Sequence, residues 1–266
     1  MTLKAKKAIS DSLSKYKKAA LAGKEPPPAT VKALEQLPKP DQDAFLAKLE
    51  LAKQDAAKKA AAAGEFRIAD FDLVGPQRGS NPGGLYRNKG TGEEWYIKTP
   101  ASVDAARNEV LAGKLYQAAG IEVPELRIVD MGNKAGVASR IVAGLRQDAT
   151  ALRSGKVPGV VDGSAVDAWL ATSDDAGANF DNLLVREGRA FRVDTGGALR
   201  YRAQGSLKGT QWGPTVPELE SMRAPGNNAQ TAAVFKRMTK SQLEASAARL
   251  QALDDDEIRR LVQPYG

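Results

Sequence analysis

The sequence predicts an α+β protein of two lobes preceded by a helical extension. Two observations carry this prediction. From Phe66 to Lys98, short extended runs alternate with glycine-rich turns. From Ser102 onward, helical periodicity takes over, broken by a few short strands.

The elements follow in order. Residues 4–22 place Ile9, Leu13 and Tyr16 at helical spacing, and Gly23 to Pro28 forms a stiff linker. A short helix is expected from Thr30 to Leu37, closed by Pro38 and Pro40. Asp41 is the expected cap of a long alanine-rich helix that carries Phe45, Leu49 and Ala52 on one face and ends at Gly64. Phe71, Leu73 and Val74 predict a strand, and Leu85-Tyr86-Arg87 its returning partner. Thr91-Gly92 predicts a hairpin turn, and Glu94 to Lys98 a third strand. Ser102 caps a helix expected to bury Val103, Val110, Leu111 and Leu115 and to stop near Gly120. Two further extended runs lie around Pro124–Val129 and Gly136–Val142. Past Gly144, Val166, Trp169 and Leu170 predict a helix. Leu183-Leu184-Val185 and Phe191-Arg192-Val193 predict a hairpin about Glu187-Gly188. Thr239 with Gln242, and Asp254 with Glu257, are capping-box patterns of a helical tail. The expected organisation is a helical extension over 1–64, a first lobe over 65–144 and a mainly helical lobe over 145–266.

Composition excludes several chemistries. The chain of 266 residues has neither Cys nor His. Disulfides, thiolate zinc sites, Ser-His-Asp triads and histidine phosphorelays are ruled out. Acid–base or metal chemistry must use Asp, Glu, Lys, Asn or water. No apolar run spans a membrane, and the lysine-bearing N-terminus has no apolar segment of a secretory signal. These features, with the absence of Cys, predict a cytoplasmic protein. The net charge is +7, and residues 1–60 hold 13 Lys, no Arg and 7 Asp plus Glu. The basic charge is thus concentrated in the extension. Such a segment is either a solvated helical face or a contact for nucleic acid or an acidic partner.

The chemistry-bearing residues fall into two groups. In the first, Gly75, Gly79, Gly83 and Gly84 surround a turn between strands, where backbone N–H groups can approach phosphates. Lys98 ends the third strand, and Glu109 on the next helix can pair with it and aim it. The second group runs from Ser173-Asp174-Asp175-Ala176-Gly177-Ala178-Asn179-Phe180-Asp181-Asn182 through the hairpin to Val193-Asp194-Thr195-Gly196-Gly197. Its two strand ends bring Asn182 and Asp194 together. Hard oxygen donors of this kind suit Mg²⁺. No Walker A loop is present.

Over Phe71 to Ala203, this pattern resembles the protein-kinase-like superfamily. It looks nearest the HipA-like and phosphatidylinositol-kinase-like branch, with its phage and bacterial relatives. The resemblance implies a two-lobed kinase-like fold with ATP and Mg²⁺ as cofactors. By position, Lys98 resembles the ATP-binding lysine and Glu109 its helix partner. Asn182 and Asp194 resemble the metal-binding pair. Gly79, Gly83 and Gly84 lie in the nucleotide-covering loop. Ser139 to Gly144, with Ile141 and Val142, resembles the hinge that receives adenine. The family places its catalytic Asp five residues before the metal-binding Asn, where this chain has Gly177. Asp174 is the best substitute and Asp175 the next, while Asn179 and Asp181 are further oxygen donors. Arg200 and Arg202 lie where an activation segment contacts substrate or stabilises itself.

The resemblance implies a kinase acting on Ser or Thr of a protein. A different class of reading is a phage-particle or toxin-associated interaction protein built on a degenerate nucleotide-binding scaffold, located in an infected cell or a virion. A third reading transfers AMP instead of phosphate.

Overall fold

The computed structural model describes residues 3–21, 26–49, 66–172 and 174–265. The chain divides into two compact units, Met1–Glu65 and Phe66–Gly266. The first contains α1 (Leu3–Leu21), α2 (Pro28–Glu35) and α3 (residues 39–49). Tyr16 of α1 meets Phe45 of α3 edge to face, with ring centroids 5.8 Å apart. Helix α3 starts before the expected cap. Pro38 O already accepts from the Asp41 and Gln42 amides, so Asp41 lies in the first turn. Pro40 is tolerated there because a first-turn N–H has no helical partner to lose. The expected continuation to Gly64, with Ala52, lies outside the described residues.

The second unit opens with β1 (Phe66–Arg67), β2 (Phe71–Gly75), β3 (Gly83–Asn88) and β4 (Glu94–Lys98). Helix α4 (Val103–Ala118) follows, then β5 (Leu126–Asp130) and β6 (Ala135–Arg140). The six strands form one sheet in the order β1-β5-β6-β4-β3-β2, antiparallel except for β1 beside β5. Ser102 caps α4 through the Ala105 amide, and Gly120 leaves it at φ +68°. Val110 and Leu115 are buried as expected, but Val103, the first residue of the helix, is 44% exposed.

Helix α4 serves two cores. Its Ala106 and Val110 pack with Leu126 and Val137 of the sheet. Its Ala112, Leu115 and Tyr116 pack with Val166, Leu170 and Ala198 of the second lobe. That lobe holds α5 (Ala149–Arg153), α6 (Ser164–Trp169), the β7 (Leu183–Arg186) and β8 (Arg189–Arg192) hairpin, α7 (Glu218–Ser221), α8 (Ala229–Phe235), α9 (Lys240–Gln251) and α10 (Asp255–Val262). Its own core gathers Leu152, Val160, Leu183 and Phe235, each worth about 1.5–3 kcal/mol of burial.

Local chemistry accounts for the joins. Glu187 and Gly188 both take positive φ, 50° and 74°, the twist a tight hairpin needs. Thr239 and Gln242 close a full capping box at α9. Asp254 caps α10 through the Asp256 amide, without the reciprocal bond from Glu257. Among the described residues no helix is long and apolar enough to cross a membrane.

Candidate active site

Lys98 ends β4 and reaches across to two carboxylates. Its Nζ lies 2.9 Å from Glu109 Oε1 on α4 and 3.2 Å from Asp194 Oδ1, just past β8. The side chains of Lys98 and Glu109 are 13% and 5% exposed, whereas that of Asp194 is 45% exposed. Burial works against the Lys98 ammonium, but the two carboxylates outweigh it and raise its pKa. Burial pushes Glu109 up to about 7, against the pull of Lys98. Asp194 is lowered: burial opposes the charge, but Lys98 and the Gly196 amide at 3.0 Å overcome it.

Asn182 opens β7 at the same end of the hairpin, where its carbonyl accepts from the Val193 amide at 2.9 Å. Its side-chain Nδ2 donates to Asp174 O at 2.9 Å. The amide oxygen of Asn182 is thereby left without a protein partner among the described residues. The structure thus brings Asn182 and Asp194 to one strand end.

The loop before Asn182 explains the glycine at 177. Gly177 has φ +70°, and a Cβ there would lie 2.1 Å from Asp181 Oδ1. A side chain at position 177 would therefore be strained. Asp174 is half-buried, and its Oδ1 accepts from Asn228 Nδ2 at 2.6 Å. Burial raises its pKa and Asn228 counters it, with Asp181 and Asp194 adding to the rise. Asp175, the second choice from sequence, is 5% exposed and neither of its carboxylate oxygens has a hydrogen-bond partner. It cannot face an acceptor. Asn179 and Asp181 are exposed, and Asp181 Oδ1 accepts from the Asn179 amide at 3.4 Å. Residue 173 lies outside the described residues.

The glycines have separate tasks. A Cβ on Gly83 would lie 2.5 Å from Ile97 O, and one on Gly84 2.5 Å from Leu73 Cδ1. Strand packing therefore demands a glycine at 83, where the obstacle is backbone, whereas at 84 the exposed Leu73 side chain can shift. Gly79 has φ +81° and open space around it. The loop tip is anchored at Arg78, whose amide donates to the Tyr96 hydroxyl at 2.7 Å; that hydroxyl donates back to Arg78 O. Ile141 donates its amide to Glu94 O at 2.9 Å, which extends the β6 edge into the expected hinge. Its side chain is exposed and that of Val142 half-buried.

Sequence reasoning missed the residues that hold the segment after Asp194. Asn108 of α4 donates to Ala198 O at 2.9 Å and accepts from the Arg200 amide at 3.2 Å. Thr195 Oγ1 donates to Glu109 O at 3.0 Å. Lys208 Nζ donates to the carbonyls of Ala171, Gly197 and Leu199 at 2.6–2.9 Å, and burial draws its pKa down to about 8. Asn228 was missed as well. Its Asn-x-x-Thr spacing signals a helix cap, which it is at α8, but nothing local signals its bond to Asp174.

Among the described residues no three acidic side chains form a metal cluster. The oxygen set is one charged carboxylate with an amide oxygen, which fits an ion that keeps water and phosphate oxygens as its other ligands. A strand-borne lysine, a helix-borne glutamate and a carboxylate just past the β7–β8 hairpin thus meet at one point.

No protein-family model matches the sequence, nor does any curated protein. Among solved structures, the chain is similar to the Helicobacter pylori proinflammatory kinase CtkA. The TM-score is 0.46 at 10% identity, covering 75% of this chain and 86% of that one. It is also similar to an N-terminal 618-residue fragment of LepB from Legionella pneumophila. Here the TM-score is 0.34 at 15% identity, covering 67% of this chain and 39% of that one. At these scores neither carries a residue's role to this chain.

Proposed function

We propose that the cleft binds ATP with Mg²⁺ and transfers the γ-phosphate to Ser or Thr of a protein, along the lines of the HipA-like branch. The carrying observation is Lys98 bonded at once to Glu109 and Asp194, which are 11 and 96 residues away. Distant charges converge on a largely buried lysine at a cost in desolvation, and the exposed Asp194 leaves one end of the arrangement open to a ligand.

Lys98, aimed by Glu109, would hold phosphate oxygens. Asp194 and the free amide oxygen of Asn182 would hold Mg²⁺, which when bound neutralises phosphate charge. Gly79 lets the loop backbone approach the phosphates, and Ile141 and Val142 border the adenine. Asp174, held in place by Asn228, orients the acceptor hydroxyl and takes its proton. Alignment and charge stabilisation supply most of the rate. A second reading is a scaffold that binds nucleotide without transferring it, favoured by Gly177 standing where the family has its aspartate.

The test is transfer of label from γ-labelled ATP with Mg²⁺ to the protein itself and to a bacterial lysate, with Asp194→Asn in parallel. Label is expected only from the unmutated chain. No label from either folded protein would reject transfer. ATP binding that still depends on Asp194 would then favour the scaffold, and a target heavier by one AMP would favour nucleotidyl transfer.

A further inference from the structure

A cavity of about 720 Å³ lies on the side of α4 away from the sheet. Its walls come from four places: α4, the end of α6 with the segment around Arg200, residues 211–216 with Glu218 of α7, and α10 with Tyr265. None of Lys98, Glu109, Asp174, Asn182 or Asp194 lines it. The volume is within the range of small-molecule sites, roughly 300–1,000 Å³.

The lining is chiefly apolar and aromatic. Leu111 and Leu115 of α4 face Trp169, Tyr201, Trp212 and Ile258 across the space. Trp212 is 44% exposed, and Val216 and Val262 of the same lining are each 37% exposed, a contiguous exposed apolar surface. Four charged side chains also border the cavity, and three are accounted for. Arg107 lies 3.9 Å from Asp104. The buried Glu218 faces the Lys208 ammonium, whose charge it favours. Arg200 is the fourth. It has no ion-pair partner among the described residues, while its backbone amide is fastened to Asn108 Oδ1 at 3.2 Å. A guanidinium on a fixed backbone thus stands at the edge of an aromatic chamber, ready for one anionic group.

We propose that this cavity is a second ligand site, distinct from the nucleotide cleft, for a small aromatic molecule that carries one negative charge. The rings fill the chamber between Leu111, Trp169 and Trp212, and the anion pairs with Arg200.

The probes are anilinonaphthalene sulfonate, an aromatic monoanion, and phenylnaphthylamine, its uncharged counterpart. The three tryptophans suit this test. Trp169 and Trp212 line the cavity, while Trp95 is buried in the sheet. The expected result is saturable binding of one sulfonate per chain, with energy transfer from tryptophan and no displacement by ATP·Mg²⁺. The uncharged probe should bind about tenfold more weakly, the size of one charge-assisted contact. Arg200→Gln should erase that preference, and Trp212→Phe should reduce the transfer. Both positions are exposed, so the variants should fold. Any of three results would overturn the proposal: no saturable binding, equal affinity for the two probes, or displacement of the sulfonate by ATP·Mg²⁺.

Discussion

Two clusters of charge meet at the end of the β7–β8 hairpin, one on Arg192 and one on Asp194, and they are built differently. In one, Arg192 is bonded to Asp167 through two nitrogens and to the carbonyls of Gly159 and Val160 at 2.8 and 3.1 Å. Asp167 in turn accepts from the Tyr116 hydroxyl at 2.9 Å. Asp167 is fully buried and Arg192 nearly so. In the other, Lys98 and Glu109 are buried but Asp194 opens toward solvent, and Asn182 keeps an unused oxygen. The first cluster is sealed from solvent and its ion pair is fully hydrogen-bonded, with the unpartnered carboxylate of Asp175 close by, which suits a staple. The second is incomplete at its open end, where a ligand can finish it. Burial of charge is common to both, and only the unsatisfied, accessible end marks the site.

Breaking the sealed cluster should have the largest effect. Asp167→Ala leaves the Arg192 guanidinium buried without its hydrogen-bonded counter-charge and should cost about 3–5 kcal/mol of stability, read from urea midpoints. Loss of well under 1 kcal/mol would show that the cluster is not a staple. Asp194→Asn, at the open end, should behave the opposite way. Phosphate transfer should fall by about 10²-fold or more, with the melting temperature little changed, because an exposed charge contributes little to stability. A large drop in melting temperature would erase the contrast between the clusters.

Glu109→Gln sharpens the comparison through pH. The Glu109 carboxyl sits at about 7, so it is protonated below that pH and charged above it. The orienting pair with Lys98 therefore forms as pH rises through 7, and ATP affinity should rise with it. Isothermal titration at about pH 6 and about pH 8 should show a change of about tenfold in the native chain and a flat profile in the variant. For stability the sign is reversed. A carboxyl raised on folding contributes stability below its unfolded value, and that contribution is lost as pH climbs through about 7. The smallest effect is expected from Tyr116→Phe. It removes one bond to Asp167 while leaving the ion pair, and should cost about 1 kcal/mol. A cost equal to that of Asp167→Ala would mean the hydroxyl, not the charge pair, holds the cluster.

Local rules governed what was legible in the sequence. The strand runs around Phe71, Leu85 and Trp95, the Ser102 cap and the Thr239–Gln242 box are set by residues a few positions apart, and all appear where their patterns place them. Where local signals compete, reading failed. Asp41 was displaced as a cap by the carbonyl of Pro38, and Val103 was left outside although its spacing matched the buried face.

By itself, then, the sequence determined the order of the elements and the residue types available for chemistry. It holds no His or Cys, one lysine at a strand end, and carboxylates and amides around a hairpin. Only the tertiary structure decided which of those groups meet. Asp174 and Asp175 are adjacent in the chain, yet one opens to the cleft with Asn228 on it and the other is sealed in the core. Neither hydropathy nor spacing distinguishes two neighbouring aspartates. Their exposure depends on α8 and on the Arg192 cluster, contributed from elsewhere in the chain, and a buried charge is settled by the partners that surround it.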